Sequence, residues 1–232
     1  MAKKAVILVG GLGTRLRPVT YEIPKPLLTV KRKPIVSHLI DLFRRHGVEK
    51  IALLASVNHR PDFEQWQKAR PDEAEGVELF FEESPRGTFG GLRDLRDWIG
   101  SESFFLSNGD ELKDFDLNAL RNFHAGHTGV GTLALVAVEK PQEYGVPVME
   151  NNIIREFLEK PANPPSNLVS AGFYVLNPEI FNFADFKQDF IMIEKDIFPK
   201  AAAAGRLFGL PLTGRWYDCG TFERWEKAIK EW

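Results

Sequence analysis

The chain has 232 residues, 44% of them hydrophobic and 12% aromatic, with a formal charge of −2. That is enough apolar material for a sizeable core, which excludes disorder, and the near-neutral balance excludes a general drive toward nucleic acid or an anionic membrane. A single cysteine, Cys219, excludes an internal disulfide and suits a reducing compartment. The apolar run before Gly10, residues 5–9, is too short for a signal-peptide core or a membrane span, so a cytoplasmic protein is expected.

Short β-branched runs alternate with helical patterns through the first half. Residues 5–9 predict a buried strand, followed by a helix over about 35–46 that Gly47 closes. Residues 51–55 form the next strand, a polar helix covers about 62–69 after Pro61, and 77–81 is strand-like. Residues 90–98 read as helical, 103–106 as a strand running into Ser107-Asn108-Gly109-Asp110, 117–125 as a helix and 133–138 as a strand. Beyond this point 144–149, 153–158 and 168–176 are strand-like with few helices between them. Helices over roughly 193–204 and 222–231, around a short strand near 207–211, finish the chain. The pattern predicts an α/β fold: a three-layer, mostly parallel doubly wound (Rossmann-like) mixed sheet flanked by helices, with a small antiparallel extension. A single domain over 1–232 is expected, with no linker or internal repeat and no C-terminal β-helix.

The loop after the first strand carries the strongest chemical signal. Residues 10–26 hold Gly10, Gly11 and Gly13, then Thr14-Arg15, and ten residues after Arg15 comes Lys25 in Pro24-Lys25-Pro26. Glycines let backbone N–H groups approach an anion, and the cations add charge-assisted hydrogen bonds, so a polyphosphate ligand is expected. The dinucleotide fingerprint is excluded because its third glycine would fall on Leu16. A Walker A loop is excluded because no Gly-Lys-Ser/Thr triplet occurs.

Further along, Asp110 lies at the C-terminal end of a predicted strand, where open α/β sheets place ligand clefts. Asp218, in Trp216-Tyr217-Asp218-Cys219-Gly220, precedes a glycine turn and a helix. Either aspartate alone reads more readily as a turn residue or a cap. Gly145, in Tyr144-Gly145-Val146, and Glu159-Lys160 suit a sugar phosphate, because a carboxylate accepts from hydroxyls and a lysine places a point charge on phosphate. A solvated hairpin end is the alternative. In Ser170-Ala171-Gly172 the small residues permit close backbone approach or close packing. Glu82, five residues before Gly87-Thr88, ends a strand-like run; its carboxylate can accept two neighbouring N–H donors, where an amide suits a donor flanked by acceptors, and a solvated strand end is the alternative.

Taken together and in this order, the motifs resemble those of the sugar-1-phosphate nucleotidylyltransferases, over nearly the whole chain. The nearest type is the short single-domain mannose-1-phosphate guanylyltransferase-like enzyme, or the heptose- or MurNAc-1-phosphate enzymes. The resemblance implies an NTP, with GTP favoured, joined to a sugar 1-phosphate of mannose or heptose type, giving NDP-sugar and pyrophosphate. It implies catalytic roles for Arg15 at the pyrophosphate and Lys25 at the α-phosphate, and a Mg²⁺ on Asp110 and Asp218. Nucleotide binding falls to Gly10, Gly11, Gly13, Thr14, Glu82, Gly87 and Thr88, in a half of about 1–115. Sugar-phosphate binding falls to Gly145, Glu159, Lys160, Ala171 and Gly172, in a half of about 116–232. Phe89 stands where the usual pattern has alanine, and is expected to reshape the base or ribose pocket. UTP or dTTP as donor, and a nucleotide-sugar-binding regulatory subunit without catalysis, are the alternatives. Nucleic acid and membrane are not expected as partners; a homodimer is left open.

Overall fold

The computed structural model describes residues 2–232. These fall into two compact units. One is assembled from Lys4–Pro85, Ser107–Phe115 and Gly214–Trp232; the other from Arg86–Leu106 and Asp116–Thr213, with Ala2 and Lys3.

In the first unit, the strands Lys4–Leu8, Lys50–Ser56 and Val77–Glu82 pair in parallel, with Lys50–Ser56 central. The register sets Ala5 beside Ile51 and Ser56 beside Glu82. The first two strands are buried along most of their length, which explains their near-continuous apolar sequence. Helix Ile35–Arg45 buries Ile35, Val36, Leu39, Ile40, Leu42 and Phe43 on one stripe. Each such side chain stabilises the fold by about 1.5–3 kcal/mol on burial. Gly47, at φ 73°, takes the left-handed turn that ends the helix.

Two further antiparallel ribbons belong to this unit. Thr29–Val30 pairs with Lys33–Pro34, and Glu111–Phe115 pairs with Gly214–Asp218. The sequence reading assigned no strand to 111–115 or 214–218. Lys113 is buried in the ribbon and breaks the alternation of apolar residues that would have marked it. Beneath the ribbon lies an apolar cluster of Leu16, Leu28, Val30, Ile35, Leu112, Cys219 and Ala228.

The second unit carries strands in the order Phe104–Asn108, Leu168–Leu176, Gly131–Ala137, Leu207–Pro211, Ile153–Glu159, Gly145–Glu150, of which the first contributes residues 104–106. Gly131–Ala137 runs antiparallel to Leu168–Leu176 and parallel to Leu207–Pro211. Ile153–Glu159 is antiparallel to both of its neighbours. Helix Leu117–Ala125 is capped by Asp116, whose carboxylate accepts from the Asn118 and Ala119 backbone N–H groups at 2.9 and 3.3 Å.

Two expected helices of this unit differ from their predictions. Residues 87–99 form three short turns, Gly87–Gly90, Gly91–Leu95 and Arg96–Ile99. Residues 193–203 form a π-turn, Ile193–Ile197, followed by Phe198–Ala203. The Phe198 N–H reaches back five residues to the Ile193 carbonyl, and Pro199, next in line, has no N–H to give. Phe89 also departs from expectation. It is fully buried, with its ring 5.3 Å from Phe181 and 6.3 Å from Phe186, so it packs in a core cluster instead of shaping a nucleotide pocket. No helix among the described residues is long and apolar enough to cross a membrane.

Candidate active site

The glycine loop leaves the strand Lys4–Leu8 and folds into three short 3-10 turns, Thr14–Leu16, Val19–Tyr21 and Lys25–Leu27. Gly13 enters the first at φ 58°, and a Cβ there would stand 2.9 Å from Thr20 Cγ2. The Thr20 hydroxyl donates to the Gly13 carbonyl at 2.8 Å and fixes that corner. Gly11 has open space around it, as a backbone that must approach a ligand requires. Leu16 drops into the apolar cluster, which anchors the neighbouring Arg15.

Lys25 is 4% exposed, and its ammonium donates to Asp110 Oδ2 at 2.6 Å. The same nitrogen lies 3.8 Å from Asp218 Oδ1. Burial opposes the charge on Lys25, but Asp110, Asp218 and Glu111 outweigh it and hold its pKa above the ordinary lysine value. For Asp110, too, burial opposes ionisation. The Lys25 charge and hydrogen bond, with help from Lys113, prevail and hold the carboxyl below the usual range. Asp110 retains 39% side-chain exposure and Asp218 11%, so both carboxylates can reach a ligand.

The backbone reasons for this meeting are local. The Gly109 N–H donates to the Leu8 carbonyl at 2.9 Å, and a Cβ at Gly109 would meet Val9 Cγ1 at 2.5 Å. Only glycine lets Asn108-Gly109-Asp110 pass that close to the strand leading into the glycine loop. On the other side, Cys219 sits in the apolar cluster next to Asp218, and burial pushes its thiol up to about 12, which makes it packing and not a nucleophile. A Cβ at Gly220 would stand 2.7 Å from Asp218 Oδ1 and 2.9 Å from Arg15 Nη2, so Arg15 belongs to the same cluster.

Three members of this cluster were missed by the sequence reading. Arg224, on helix Phe222–Glu231, donates to Asp218 Oδ2 at 2.5 Å. Glu111 accepts from Trp216 Nε1 at 2.9 Å, and its Oε2 lies 3.2 Å from Lys113 Nζ. Lys113 donates in turn to Ser107 Oγ at 3.0 Å and to the Asn108 carbonyl at 3.1 Å, bracing the turn that carries Asp110. Burial raises Glu111, with Asp110 and Asp218 adding to the effect against Lys113. The alternation of Glu111 and Lys113 along one face was the available signal.

Glu82 ends the strand Val77–Glu82 opposite Ser56, and its Oε2 would stand 3.4 Å from a Cβ on Gly10. The carboxylate therefore borders the start of the glycine loop. Among the described residues no group of three or more His, Cys, Asp or Glu forms a closed metal cage. Two carboxylates, with the remaining positions left to water and phosphate oxygens, are what Mg²⁺ ordinarily takes, so Asp110 and Asp218 are the residues that would suit a hard cation.

The other predicted residues lie in the second unit. Gly87, at φ 77°, has the Ile191 carbonyl oxygen 2.4 Å from where a Cβ would be. The Thr88 hydroxyl donates to Glu194 at 2.7 Å and accepts from the Ile193 N–H at 2.9 Å. Gly145 pairs with Glu159 across the hairpin, and a Cβ on it would stand 3.2 Å from Glu159 Oε2. Lys160, at φ 52°, lies 3.7 Å from Glu159 and bonds through its N–H to the Tyr144 carbonyl. Ala171 and Gly172 occupy an irregularity between Ser170 and Tyr174, with Gly172 at φ 57°.

The nucleotidyl transferase family description matches residues 4–232. The chain belongs to this family. Among relatives, the mannose-1-phosphate guanylyltransferase catalytic subunit beta of Drosophila melanogaster is 39% identical over 224 residues, covering 94% of this chain and 59% of that protein. A probable mannose-1-phosphate guanylyltransferase 2 of Oryza sativa subsp. japonica is 37% identical, covering 94% and 61%. This nucleotidyl transferase chain thus spans 59–61% of the length of the curated relatives it matches. HddC from Yersinia pseudotuberculosis, solved complexed with GMP-PN, aligns with a TM-score of 0.82 at 26% identity over 99% of each chain. A putative glucose-1-phosphate thymidylyltransferase from Bacillus anthracis reaches 0.89 at 23% identity, over 98% of this chain and 94% of that one, which shows the shared fold.

Proposed function

We propose that the chain transfers a nucleotidyl group from GTP to a sugar 1-phosphate of mannose or heptose type, giving GDP-sugar and pyrophosphate. The observation that carries this reading is Lys25 held between Asp110 and Asp218, beside Arg15 and the open glycine loop. The names of the relatives support guanine and mannose, and Glu82 next to Gly10 supports guanine. We assign the nucleotide to a half of about 1–115, with Gly10, Gly11, Gly13, Thr14, Glu82, Gly87 and Thr88. The sugar phosphate goes to a half of about 116–232, with Gly145, Glu159, Lys160, Ala171 and Gly172.

The sugar phosphate oxygen attacks the α-phosphorus in line; that O–P bond forms as the bond to pyrophosphate breaks. A phosphate monoester has a second pKa of about 6, so the nucleophile is ionised near neutrality and needs no general base. Catalysis then rests on positioning and on charge. Lys25 meets the α-phosphate by exchanging part of its bond to Asp110, and Arg15 takes up charge on the departing pyrophosphate. Asp110 and Asp218 would hold a Mg²⁺ that adds charge neutralisation at the phosphates. Cytoplasmic action fits the buried free Cys219.

The test is pyrophosphate release over a matrix of GTP, dTTP, UTP, CTP and ATP against a panel of sugar 1-phosphates with Mg²⁺. Preferred turnover of GTP with mannose 1-phosphate or a heptose 1-phosphate is expected. A preference for UTP or dTTP would remove the guanine assignment, and absence of turnover with every pair would remove the reaction.

A further inference from the structure

The unit containing Asp116–Thr213 holds a carboxylate that none of the motifs includes. Glu194 sits on the π-turn Ile193–Ile197, a backbone form that is rare and concentrated at functional sites. Three backbone bonds lace that turn's approach to the glycine-threonine segment. The Phe89 and Gly90 N–H groups donate to the Ile191 carbonyl at 3.0 and 3.3 Å, and the Ile191 N–H donates to the Arg86 carbonyl at 2.9 Å. Thr88 then closes the junction, because its one hydroxyl proton goes to Glu194 while its oxygen accepts from Ile193.

The charged surroundings of Glu194 are equally specific. Burial raises its pKa against the Thr88 hydrogen bond; Glu159 adds to the rise and Lys160 opposes it. Glu159 and Lys160 are themselves 3.7 Å apart. The turn Ile193–Ile197 also packs directly against the strand Ile153–Glu159 and the segment Gly87–Gly90, so the Glu194 and Glu159 carboxylates, the Thr88 hydroxyl and Lys160 come from elements in mutual contact within one unit. A lysine among carboxylates suits a ligand with one phosphate and several hydroxyls, since phosphate takes the cation and hydroxyl protons take the carboxylate oxygens.

We propose that Glu194 accepts a hydrogen bond from a ring hydroxyl of the acceptor sugar and, with Glu159, sets which sugar 1-phosphate is used. Thr88 holds the Glu194 carboxylate in place for that contact, which gives the Gly87-Thr88 motif a role on the sugar side as well. This inference rests on the reaction proposed above.

Glu194→Gln keeps an oxygen for Thr88 and removes the charge. Steady-state kinetics of the full chain, with GTP and mannose 1-phosphate, should show KM for the sugar phosphate raised about 10-fold or more, and KM for GTP within about 2-fold of wild type. A series of monodeoxy mannose 1-phosphates adds the decisive readout. One analogue should lose about 10-fold or more in kcat/KM with wild type and little further with Glu194→Gln. An unchanged sugar KM, or equal penalties for every analogue in both proteins, overturns the inference while the reaction stands. Parallel losses in thermal midpoint and in KM for GTP would mark Glu194 as packing alone, and also overturn it. Wild-type protein that turns over no sugar 1-phosphate overturns the reaction itself.

Discussion

Asp218 faces Glu111 across the antiparallel pairing of Gly214–Asp218 with Glu111–Phe115. This register carries Asp110, the residue before Glu111, to the same end of the ribbon as Asp218, where Lys25 reaches both at 2.6 and 3.8 Å. Lys25→Ala should therefore lower pyrophosphate release by about 10²–10³, the scale seen when one preorganised electrostatic donor is lost. A rate within a few-fold of wild type would separate Lys25 from the α-phosphate.

Asp218→Asn retains the shape that Lys25 and Arg224 contact and removes one negative charge. Turnover should fall by about 10²–10³, and the Mg²⁺ concentration at half-maximal rate should rise. Titrating Mg²⁺ against pyrophosphate release in both proteins measures this. If the Mg²⁺ midpoint stays put, Asp218 is not a metal ligand.

Glu82→Gln replaces a carboxylate bordering Gly10 with an amide. Preference should move from GTP toward UTP or dTTP, by a factor equivalent to about 1–3 kcal/mol. The ratio of kcat/KM values for GTP and UTP reports it directly. Loss of activity with all nucleotides in equal proportion would argue that Glu82 supports the loop and does not read the base.

His127 makes stability depend on pH. Its ring stacks on Phe208 at 3.8 Å, its Nε2 lies 2.8 Å from the Thr132 hydroxyl, and its Nδ1 accepts from the Gly129 N–H at 3.0 Å. His124 Nδ1 lies 2.8 Å from the same hydroxyl, with its Nε2 3.0 Å from Asn177 Oδ1. Ser103 also donates to that amide oxygen, so His124 gives its proton there and takes the one Thr132 has. His127 is satisfied only when neutral, because a proton on its Nδ1 would face the Gly129 N–H. Burial, with His124 adding, lowers His127 to about 4. A histidine depressed in the folded state contributes stability that is full above the unfolded value near 6.5 and is lost as pH falls toward about 4. Thermal midpoints should decline over that window, and His127→Phe should flatten the decline. Identical pH slopes for the two proteins would show that other groups carry it.

Phe89→Ala should cost about 3–5 kcal/mol of stability, because the ring is buried against Phe181 and Phe186. Denaturant unfolding measures the loss, and the ratio of GTP to UTP turnover should stay as in wild type. A changed ratio with stability intact would return Phe89 to the nucleotide pocket.

Much of this was legible in the sequence. The strands Lys4–Leu8 and Lys50–Ser56 announced themselves because they are buried along most of their length and so are nearly continuous apolar runs. The glycine loop was legible because its spacing serves backbone approach and excludes the two commoner phosphate loops. The ribbon joining Asp110 to Asp218 was not, since a charged residue, Lys113, fills a buried position by bonding back across the turn to Ser107 and Asn108. Phe89 misled for the converse reason: a motif position suggested a ligand, and only tertiary packing shows the aromatic cluster it serves. Glu194 carried no local signal, because its partner Thr88 lies 106 residues away.

Gly214 and Phe115 are direct partners in the ribbon, so the segment Asp116–Thr213 leaves and returns at neighbouring positions. Gly214, at φ 141°, permits that return where a Cβ would strike the Asp114 carbonyl oxygen at 2.2 Å. In genetic terms the segment is a cassette with abutting splice points. Under the proposed function, an exchange confined to that segment replaces Gly145, Glu159, Lys160, Ala171 and Gly172 together and leaves Lys25, Asp110 and Asp218, all encoded outside it, as they are.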